Sequence, residues 1–230
     1  SLLQRLSEAV EAQSRFVAYA AHQLRTPIAG IRAQAEAALA SARQDDGQHA
    51  LTRIAQSTQT MGDLVQKLLI LARVDAAENT LHLSRLDGGV VVRAVAREWA
   101  PQALAKGVEI GFEMKGDEAW VMGDALLLQE MLANLIDNAL RYGGTQIILM
   151  VDNSARGVTW QVSDNGPGIP ESQRTIVFAP FHRLSDGVDG AGLGLTIVQR
   201  IAHLHGASVN LEAGAGDVGL TVSVKFPPAI

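Results

Sequence analysis

Residues 16–27 read F-V-A-Y-A-A-H-Q-L-R-T-P and lie in the middle of a long helical pattern. Apolar residues recur at intervals of seven, at Leu3, Val10, Val17, Leu24, Ile31 and Ala38, with Ala21, Ile28 and Ala35 in the adjacent row. This spacing is typical of a helix in a coiled-coil-like bundle. His22 lies about 130° from the centre of that stripe, with Thr26 one turn further on, so both side chains are expected to face solvent.

Pro27 interrupts this helical pattern five residues after His22. Proline has no N–H to donate to the carbonyl of Gln23, and its ring presses on the same turn. The sequence therefore predicts a bend just after His22, where another domain can approach the imidazole. A solvated surface histidine beside a tolerated proline is the alternative.

A second helix is predicted after a turn at residues 43–48, which contain Asp45, Asp46 and Gly47. Its heptad spacing passes through Leu51, Ile54, Thr58, Met61, Val65, Leu68 and Ala72. Residues 1–76 are thus predicted to form a helical hairpin. Since one hairpin has little to bury its seams against, a dimeric four-helix bundle is favoured over an intramolecular pair covered by the following domain.

Composition and charge restrict the class of protein. The 230 residues, 47% of them hydrophobic, suit one large or two small domains. The pattern changes near residue 77, which favours two domains joined by a linker at 77–80, the second covering residues 81–230. A net charge of −5 and the lack of any basic block argue against nucleic acid as a partner. The absence of cysteine excludes disulfides and thiolate metal sites.

Hydropathy gives a further expectation about the chain. It has neither a run of about 18 apolar residues nor a signal-peptide pattern, so as given it is expected to be soluble and not inserted in a membrane. The pattern begins in mid-helix, which suggests a fragment whose upstream part has been removed.

The second domain is predicted to mix short strands and helices. Strand-like segments are residues 81–86, 108–114, 119–122, 145–151, 157–163, 207–213 and 219–226, and helices are predicted at 88–106, after Asp87, and from Asp124 to Gly143 and Gly144. Within the latter helix, Glu130, Asn134 and Asn138 are spaced by four and form a polar row, with Arg141 and Tyr142 at its end. Such rows are usually solvated faces.

A glycine-containing segment, D-N-G-P-G-I at residues 164–169, directly follows a predicted strand. Gly166 and Gly168 let the backbone pass close to a flat ligand. The carboxylate of Asp164 can accept from an exocyclic amine such as the N6 of adenine. Taken alone, the segment could be an ordinary turn.

Two motifs follow in close succession. Residues 178–183, F-A-P-F-H-R, contain Phe178, Phe181 and Arg183 and precede a lid-like run at 184–191. Gly190, Gly192 and Gly194 then lead into the helix T-I-V-Q-R-I-A-H-L-H. Glycine-rich backbone entering a helix N-terminus is a suitable phosphate cradle. No strand directly precedes it, which argues against a dinucleotide-binding fingerprint.

These motifs together resemble those of one family. Phe16, His22, Leu24, Arg25, Thr26 and Pro27 resemble the phospho-acceptor box of sensor histidine kinases of two-component systems. The asparagine, first glycine, phenylalanine and second glycine boxes follow in family order. The resemblance implies an α+β fold of two domains: a dimerisation and histidine-phosphotransfer hairpin that forms a dimeric four-helix bundle, then an α/β sandwich of the Bergerat type that binds ATP (the GHKL type).

The resemblance also implies roles for individual residues. His22 would accept the phosphoryl group of ATP, and Thr26 matches the position that orients water against a regulator's aspartyl phosphate. Asn138 would hold Mg²⁺ with Asn134 beside it. The remaining implied nucleotide-binding residues are Arg141, Tyr142, Asp164, Gly166, Gly168, Phe178, Phe181, Arg183, Gly190, Gly192 and Gly194. The family usually has Glu or Asp directly after the histidine, where this chain has Gln23.

The resemblance extends to partners and location. It implies a homodimer, a response regulator whose receiver domain takes the phosphoryl group, and the cytoplasmic portion of an inner-membrane sensor. Two other functions stay open: a gyrase-like or chaperone-like ATPase, and a module biased towards phosphatase activity or nucleotide binding, which Gln23 favours. A stable protein-bound label from γ-labelled ATP would favour the kinase, free phosphate alone the ATPase, and neither the binding module.

Overall fold

A computed structural model describes the backbone of residues 2–40, 44–77, 81–154, 157–184 and 190–229, and within the first two helices the side chains of residues 17–39 and 47–77. The chain divides into two compact units, one mainly helical (residues 1–70 and 189–191) and one mainly α/β (residues 71–188 and 192–230). Among the described residues, no helix combines the length and the apolar character that crossing a membrane requires.

Two long helices form the helical unit, as predicted. The first, α1, covers Leu2–Ala40 and continues through Pro27. The second, α2, covers Gln44–Ala77. The turn predicted at residues 43–48 is therefore wrong from residue 44 onward, because acidic residues such as Asp45 and Asp46 are also favourable in the first turn of a helix. Residues 41–43 lie outside the described part.

The buried positions of α2 match the predicted heptad row only in part, since Ile54, Met61 and Leu68 of that row are half-buried. Ala50 and Leu64 are 5% exposed, whereas Leu51 and Val65, one position further along, are 64% and 41% exposed. Ala50, Leu64, Leu51 and Val65 are all apolar, so the heptad spacing alone did not decide which pair is buried. The exposed row leaves apolar surface on this unit, and α1 contributes Val17 and Ile28 to the exposed apolar residues.

The α/β unit contains seven strands and three helices among its described residues. In chain order they are β1 (Ser84–Asp87), α3 (Gly88–Ala105), β2 (Glu109–Lys115), β3 (Trp120–Gly123), α4 (Ala125–Tyr142), β4 (Gln146–Ser154), β5 (Gly157–Asp164), α5 (Gly194–Leu204), β6 (Ser208–Ala213) and β7 (Leu220–Lys225). Each predicted element is present, with boundaries that differ by at most three residues. Short 3-10 turns at residues 171–173, 176–178 and 215–217 had no sequence prediction.

The main sheet has the strand order β2-β4-β5-β7-β6, with β2 parallel to β4 and the other neighbours antiparallel. Strands β1 and β3 pair separately as an antiparallel ribbon. One sheet face supplies the core, because alternate residues such as Leu149, Val162 and Val224 are at most 3% exposed. Helices α3, α4 and α5 pack there, which makes the unit an α/β sandwich.

Opposite faces of β5 differ as strand alternation requires. Trp160 is 1% exposed and packs against Phe226, with 4.7 Å between ring centroids. On the other face, Gln161 donates to the hydroxyl of Ser223 at 3.1 Å, and the hydroxyls of Ser163 and Thr221 lie 2.9 Å apart. These polar pairs lie on the face of the sheet opposite the core, where hydroxyls can also exchange hydrogen bonds with water.

Candidate functional site

Helix α4 carries the predicted metal ligand at a close contact with α5. Asp124 begins α4 as its N-cap, and its carboxylate accepts from the N–H of Leu127 at 3.0 Å. Almost four turns later, half-buried Asn138 lies against Gly194, the first residue of α5. A Cβ built on Gly194 would lie only 2.8 Å from Asn138 Oδ1. The glycine therefore lets the amide of Asn138 meet the start of α5.

Asn134 is buried, so the alternative of a solvated polar row is wrong for this residue. Its side chain is 4% exposed, and Nδ2 donates to the carbonyl of Glu130 at 2.8 Å. Its Oδ1 is buried and has no hydrogen-bond partner among the described residues. A buried acceptor without a partner is unfavourable, and a bound cation or hydrogen-bond donor would satisfy it.

Asp164 stands at the end of β5 with one of its two carboxylate oxygens already occupied. Its Oδ1 accepts from the N–H groups of Gly166 at 2.9 Å and Leu220 at 3.4 Å. These bonds leave Oδ2 available to accept from a ligand. Burial raises the pKa of Asp164 above the usual aspartate value, and the two backbone hydrogen bonds oppose that shift.

The backbone after Asp164 passes close to the end of α4. A Cβ on Gly166 would lie 2.6 Å from Gly143 Cα and from the carbonyl oxygen of Tyr142. Gly168 has a φ of +70°, in the left-handed region that favours glycine. This segment is therefore packed tightly against the end of α4, beside the Asp164 carboxylate.

Arg141 and Tyr142 occupy the last turn of α4. Arg141 Nε and Asp137 Oδ1 form an ion pair at 2.8 Å, one helical turn apart. Tyr142 is 37% exposed. The pairing with Asp137 was not predicted from the sequence, although the i,i+4 spacing of the two charges is visible there.

The phenylalanine motif and the second glycine motif meet at the base of the lid-like run. The N–H of Phe181 donates to the carbonyl of Gly192 at 2.8 Å. Both residues have positive φ, +63° at buried Phe181 and +66° at Gly192. The hydroxyl of Thr196 donates to the carbonyl of Phe178 at 2.9 Å. We call these two hydrogen bonds the lid neck.

The first turn of α5 is a candidate anion site, although Gly194, Thr196 and Ile197 within it are buried. Its N-cap, Leu193, supplies no side-chain hydrogen bond, so the N–H groups of the first turn lack a side-chain acceptor. Gly190 is half-buried and follows the part of the run, residues 185–189, that lies outside the described residues; Arg183 precedes it and is exposed. Helix N-termini with free N–H groups favour phosphate.

Sequence reasoning missed two buried polar residues of α5 and its end, Thr196 and His205. Thr196 is 5% exposed and His205 is 3% exposed. The only sequence signal was their polar character at positions of the helix that face the sheet. Neither was assigned a role because burial and hydrogen-bond partners are not visible in the sequence.

The candidate phospho-acceptor lies on α1 in the helical unit. His22 and Thr26 are both exposed, as predicted, while Gln23 is half-buried. The hydroxyl of Thr26 donates to the carbonyl of His22 at 3.4 Å. Nothing covers the imidazole within the described part of this unit, so a phosphate donor or acceptor can reach it.

Two family models match the chain. The "His Kinase A (phospho-acceptor) domain" matches residues 12–77, and the "Histidine kinase-, DNA gyrase B-, and HSP90-like ATPase" matches residues 123–230. Each candidate residue named above lies inside one of these two ranges. The first model covers most of α1 and all of α2, and the second covers the α/β unit from Gly123 onward, so residues 78–122 lie outside both.

Named relatives agree with both models. The sensor protein kinase PmrB of Pseudomonas aeruginosa is 36% identical over 98% of this chain and 48% of its own length. The sensor protein QseC of Salmonella typhi is 31% identical over 98% of this chain and 50% of its own length. The chain thus spans about half the length of the relatives it matches.

Solved structures share the fold. The Acinetobacter baumannii histidine kinase AdeS gives a TM-score of 0.69 at 20% identity, covering 91% of this chain and 98% of that chain. Full-length ShkA in complex with AMPPNP gives 0.67 at 26% identity, covering 90% of this chain and 45% of that chain. With both family models and these relatives in agreement, the chain belongs to the sensor histidine kinases of two-component systems.

Proposed function

We propose that this chain is a kinase core that phosphorylates His22 with ATP and passes the phosphoryl group to an aspartate of a response regulator. The observation that carries this proposal is the pairing, in one chain, of an exposed histidine with a set of unsatisfied polar groups that fits a nucleotide. In the proposed division, residues 1–76 form the phosphotransfer domain, 77–80 the linker and 81–230 the ATP-binding domain.

The described residues of the α/β unit fit Mg²⁺-ATP. Asp164 has a free Oδ2 for the adenine amine, and the assigned Gly166 and Gly168 lie in the backbone segment that follows it. Asn134 has a buried acceptor without a partner, next to Asn138 along the helix. Asn138 is assigned as the metal ligand, since an amide oxygen is a suitable hard ligand for Mg²⁺. Bound Mg²⁺ would supply neutralisation of the triphosphate charge.

The other assigned nucleotide contacts surround these groups. Phosphate oxygens would meet the first turn of α5 and its preceding loop, where Gly190, Gly192 and Gly194 are the assigned contacts. Arg141, Tyr142, Phe178, Phe181 and Arg183 complete the assigned set.

The proposed transfer step is a displacement at phosphorus. A nitrogen of neutral His22 forms an N–P bond with the γ-phosphorus, the bond to the bridging oxygen breaks, and ADP leaves with that electron pair. Catalysis then rests on positioning and charge neutralisation. The imidazole proton on the other nitrogen must leave afterwards, and Gln23 can accept a hydrogen bond from it but cannot take the proton.

Labelling with γ-³²P-ATP tests the proposal. The parent chain is expected to retain a label that is stable in base and lost in acid, as a phosphoramidate is. His22→Gln should abolish that label while leaving nucleotide binding intact. Label that persists in His22→Gln would contradict the assignment, and free phosphate without bound label would favour an ATPase.

Phosphatase activity towards the regulator is a second proposed activity, which the exposed position of Thr26 one turn from His22 supports. Thr26→Ala should slow dephosphorylation of a phosphorylated receiver domain while sparing autophosphorylation. Thr26→Ser, which keeps the hydroxyl, serves as the matched control. Equal loss of both activities in Thr26→Ala would point to a structural role.

The quaternary state and location are also proposed. Apolar side chains of the helical unit remain exposed in the single chain, including Val17, Ile28, Leu51 and Val65. A homodimeric four-helix bundle would cover them. We place the chain in the cytoplasmic portion of an inner-membrane sensor, which the sensor relatives of about twice its length support.

A further inference from the structure

His205 connects two helices that carry the nucleotide site. It follows the last residue of α5 and is 3% exposed. Its Nε2 accepts from the backbone N–H of Asp124, the N-cap of α4, at 3.0 Å, and its Nδ1 lies 2.7 Å from the carbonyl oxygen of Ile201. The ring also lies against the end of β3, because a Cβ on Gly123 would lie 3.2 Å from its Cδ2.

These two bonds fix the protonation state of the ring. A backbone N–H can only donate, so Nε2 must carry a lone pair, and a carbonyl can only accept, so Nδ1 must carry the hydrogen. The side chain therefore acts as a neutral imidazole with a single tautomer. A second proton on Nε2 would place two donors against each other at a buried position.

The electrostatic surroundings agree with a neutral ring. Burial lowers the pKa of His205 below the usual histidine value, and the hydrogen bond to Ile201 and the charge of Asp124 oppose that shift. Asp124 is the charged group that faces the ring from α4, and its carboxylate is engaged with the N–H of Leu127. Because burial outweighs both opposing effects, the ring stays neutral down to a lower pH than a free histidine.

Two contacts between α4 and α5 lie near opposite ends of the helices. At one end His205 meets Asp124, and at the other end Gly194 meets Asn138. The two helices are therefore antiparallel, and the two points lie roughly 16 to 21 Å apart, the length of 11 to 14 helical residues. Since helices are stiff along their axes, a shift at the His205 end moves the Asn138 and Gly194 end by a similar amount.

We propose that His205 is a positioning residue for the nucleotide: its hydrogen bond to the α4 N-cap sets the register between α4 and α5, and thereby the place of Asn138 relative to the first turn of α5. The residue touches neither nucleotide nor metal. It acts by holding together α4 and α5, the two helices assigned to contact the metal and the nucleotide. This inference rests on the proposed ATP-binding function.

Two substitutions separate the acceptor from the rest of the ring. In His205→Gln, the amide oxygen can reach the position of Nε2 and accept from Asp124 without titrating. In His205→Asn, the shorter side chain reaches only the position of Nδ1 and loses the bond to α4. His205→Gln keeps the bond to Asp124 and gives up the bond to Ile201, whereas His205→Asn does the reverse, so the pair separates the two hydrogen bonds of the ring.

The experiment measures the dissociation constant of Mg²⁺-AMPPNP by calorimetry for the parent and both variants between about pH 8 and pH 5. At pH 8, His205→Gln should bind like the parent and His205→Asn roughly three- to tenfold more weakly, as loss of one neutral hydrogen bond implies. As the pH falls below the usual histidine pKa, the parent should lose affinity relative to His205→Gln. Thermal melting without nucleotide, over the same range, gives the folded fraction of each variant.

Three results would overturn the inference. One is equal affinity of folded His205→Asn and parent, with only the melting temperature reduced, since that is a purely structural role. Another is a parallel pH dependence in the parent and His205→Gln. If the parent itself does not bind Mg²⁺-AMPPNP at pH 8, the proposed function fails, and the register role falls with it.

Discussion

Asp164 is the residue where stability and function oppose each other most directly. The folded protein holds an ionised carboxylate partly out of water, which raises the pKa of Asp164. A raised pKa means that the folded state takes up a proton at a higher pH than the unfolded state. This group therefore adds stability as the pH falls through its folded pKa towards the ordinary aspartate value, and its ionised form reduces stability at neutral pH.

Asp164→Asn is expected to separate the two properties. The amide oxygen can still accept from Gly166 and Leu220, so the nucleotide-free melting temperature at pH 7.5 should stay equal or rise. The amide nitrogen would face the adenine amine as a second donor, so ATP affinity should fall about 10- to 100-fold, the range for a hydrogen bond to a charged group. Calorimetry and thermal melting measure the two effects. A variant that melts much lower would contradict this account.

Gln23 is the residue where the chain departs from its family. A carboxylate in this position can accept the imidazole N–H and stabilise the positive charge that grows as the ring attacks phosphorus, whereas an amide carries no charge. Gln23→Glu should therefore raise the single-turnover labelling rate of His22, and Gln23→Ala should lower it. General-base assistance is typically worth about 10²- to 10⁴-fold, of which an orienting amide retains part. If both variants label at the parent rate with saturating ATP, position 23 only packs the helix.

Among the elements, α5 depends on contacts that bring distant parts of the chain together. The lid neck links this helix to the phenylalanine motif through Thr196 and Phe178, and Phe181 is held there at a positive φ. Positive φ in a buried aromatic residue stores strain that the surrounding bonds must hold. Phe178 and Phe181, which precede the predicted lid, are therefore joined by hydrogen bonds to Thr196 and Gly192.

Thr196→Val should weaken nucleotide binding by roughly two- to tenfold, because a neutral hydrogen bond is lost and the carbonyl of Phe178 is left without its donor. Thr196→Ser keeps the hydroxyl and should bind like the parent. Affinity for Mg²⁺-AMPPNP and the KM for ATP are the measurements. Equal weakening in the serine variant would show that the methyl group, and not the hydroxyl, matters.

Most elements of the fold could be predicted, since the caps Asp87 and Asp124 and the alternation through Val158, Trp160 and Val162 are local signals. The start of α2 was missed because Asp45, Asp46 and Gly47 suit either a turn or a first helical turn. Candidate site residues were named from the sequence wherever a motif marked them. His205 and Thr196 were not, because their partners Asp124 and Phe178 lie far along the chain.

At the scale of the whole molecule, the exposed apolar residues of the helical unit are the proposed dimer surface. Ile28→Asp would place a charge in the seam that a second copy would cover, at a residue that is 53% exposed in the single chain. We expect this variant to be monomeric by light scattering where the parent is dimeric. Leu104→Asp is the matched control, because Leu104 is 79% exposed on α3 of the other unit. If Leu104→Asp were also monomeric, that result would contradict the proposed seam.

The positions of the tryptophans allow the unfolding of one unit to be followed by fluorescence. All three tryptophans, Trp99, Trp120 and Trp160, belong to the α/β unit, and Trp160 is shielded from water beside Phe226. Blue-shifted tryptophan fluorescence should therefore follow the unfolding of that unit alone, while far-ultraviolet circular dichroism also follows the two long helices. Coincident transitions by both probes would mean that the units unfold together, and separated transitions would assign a melting temperature to each unit without cutting the chain.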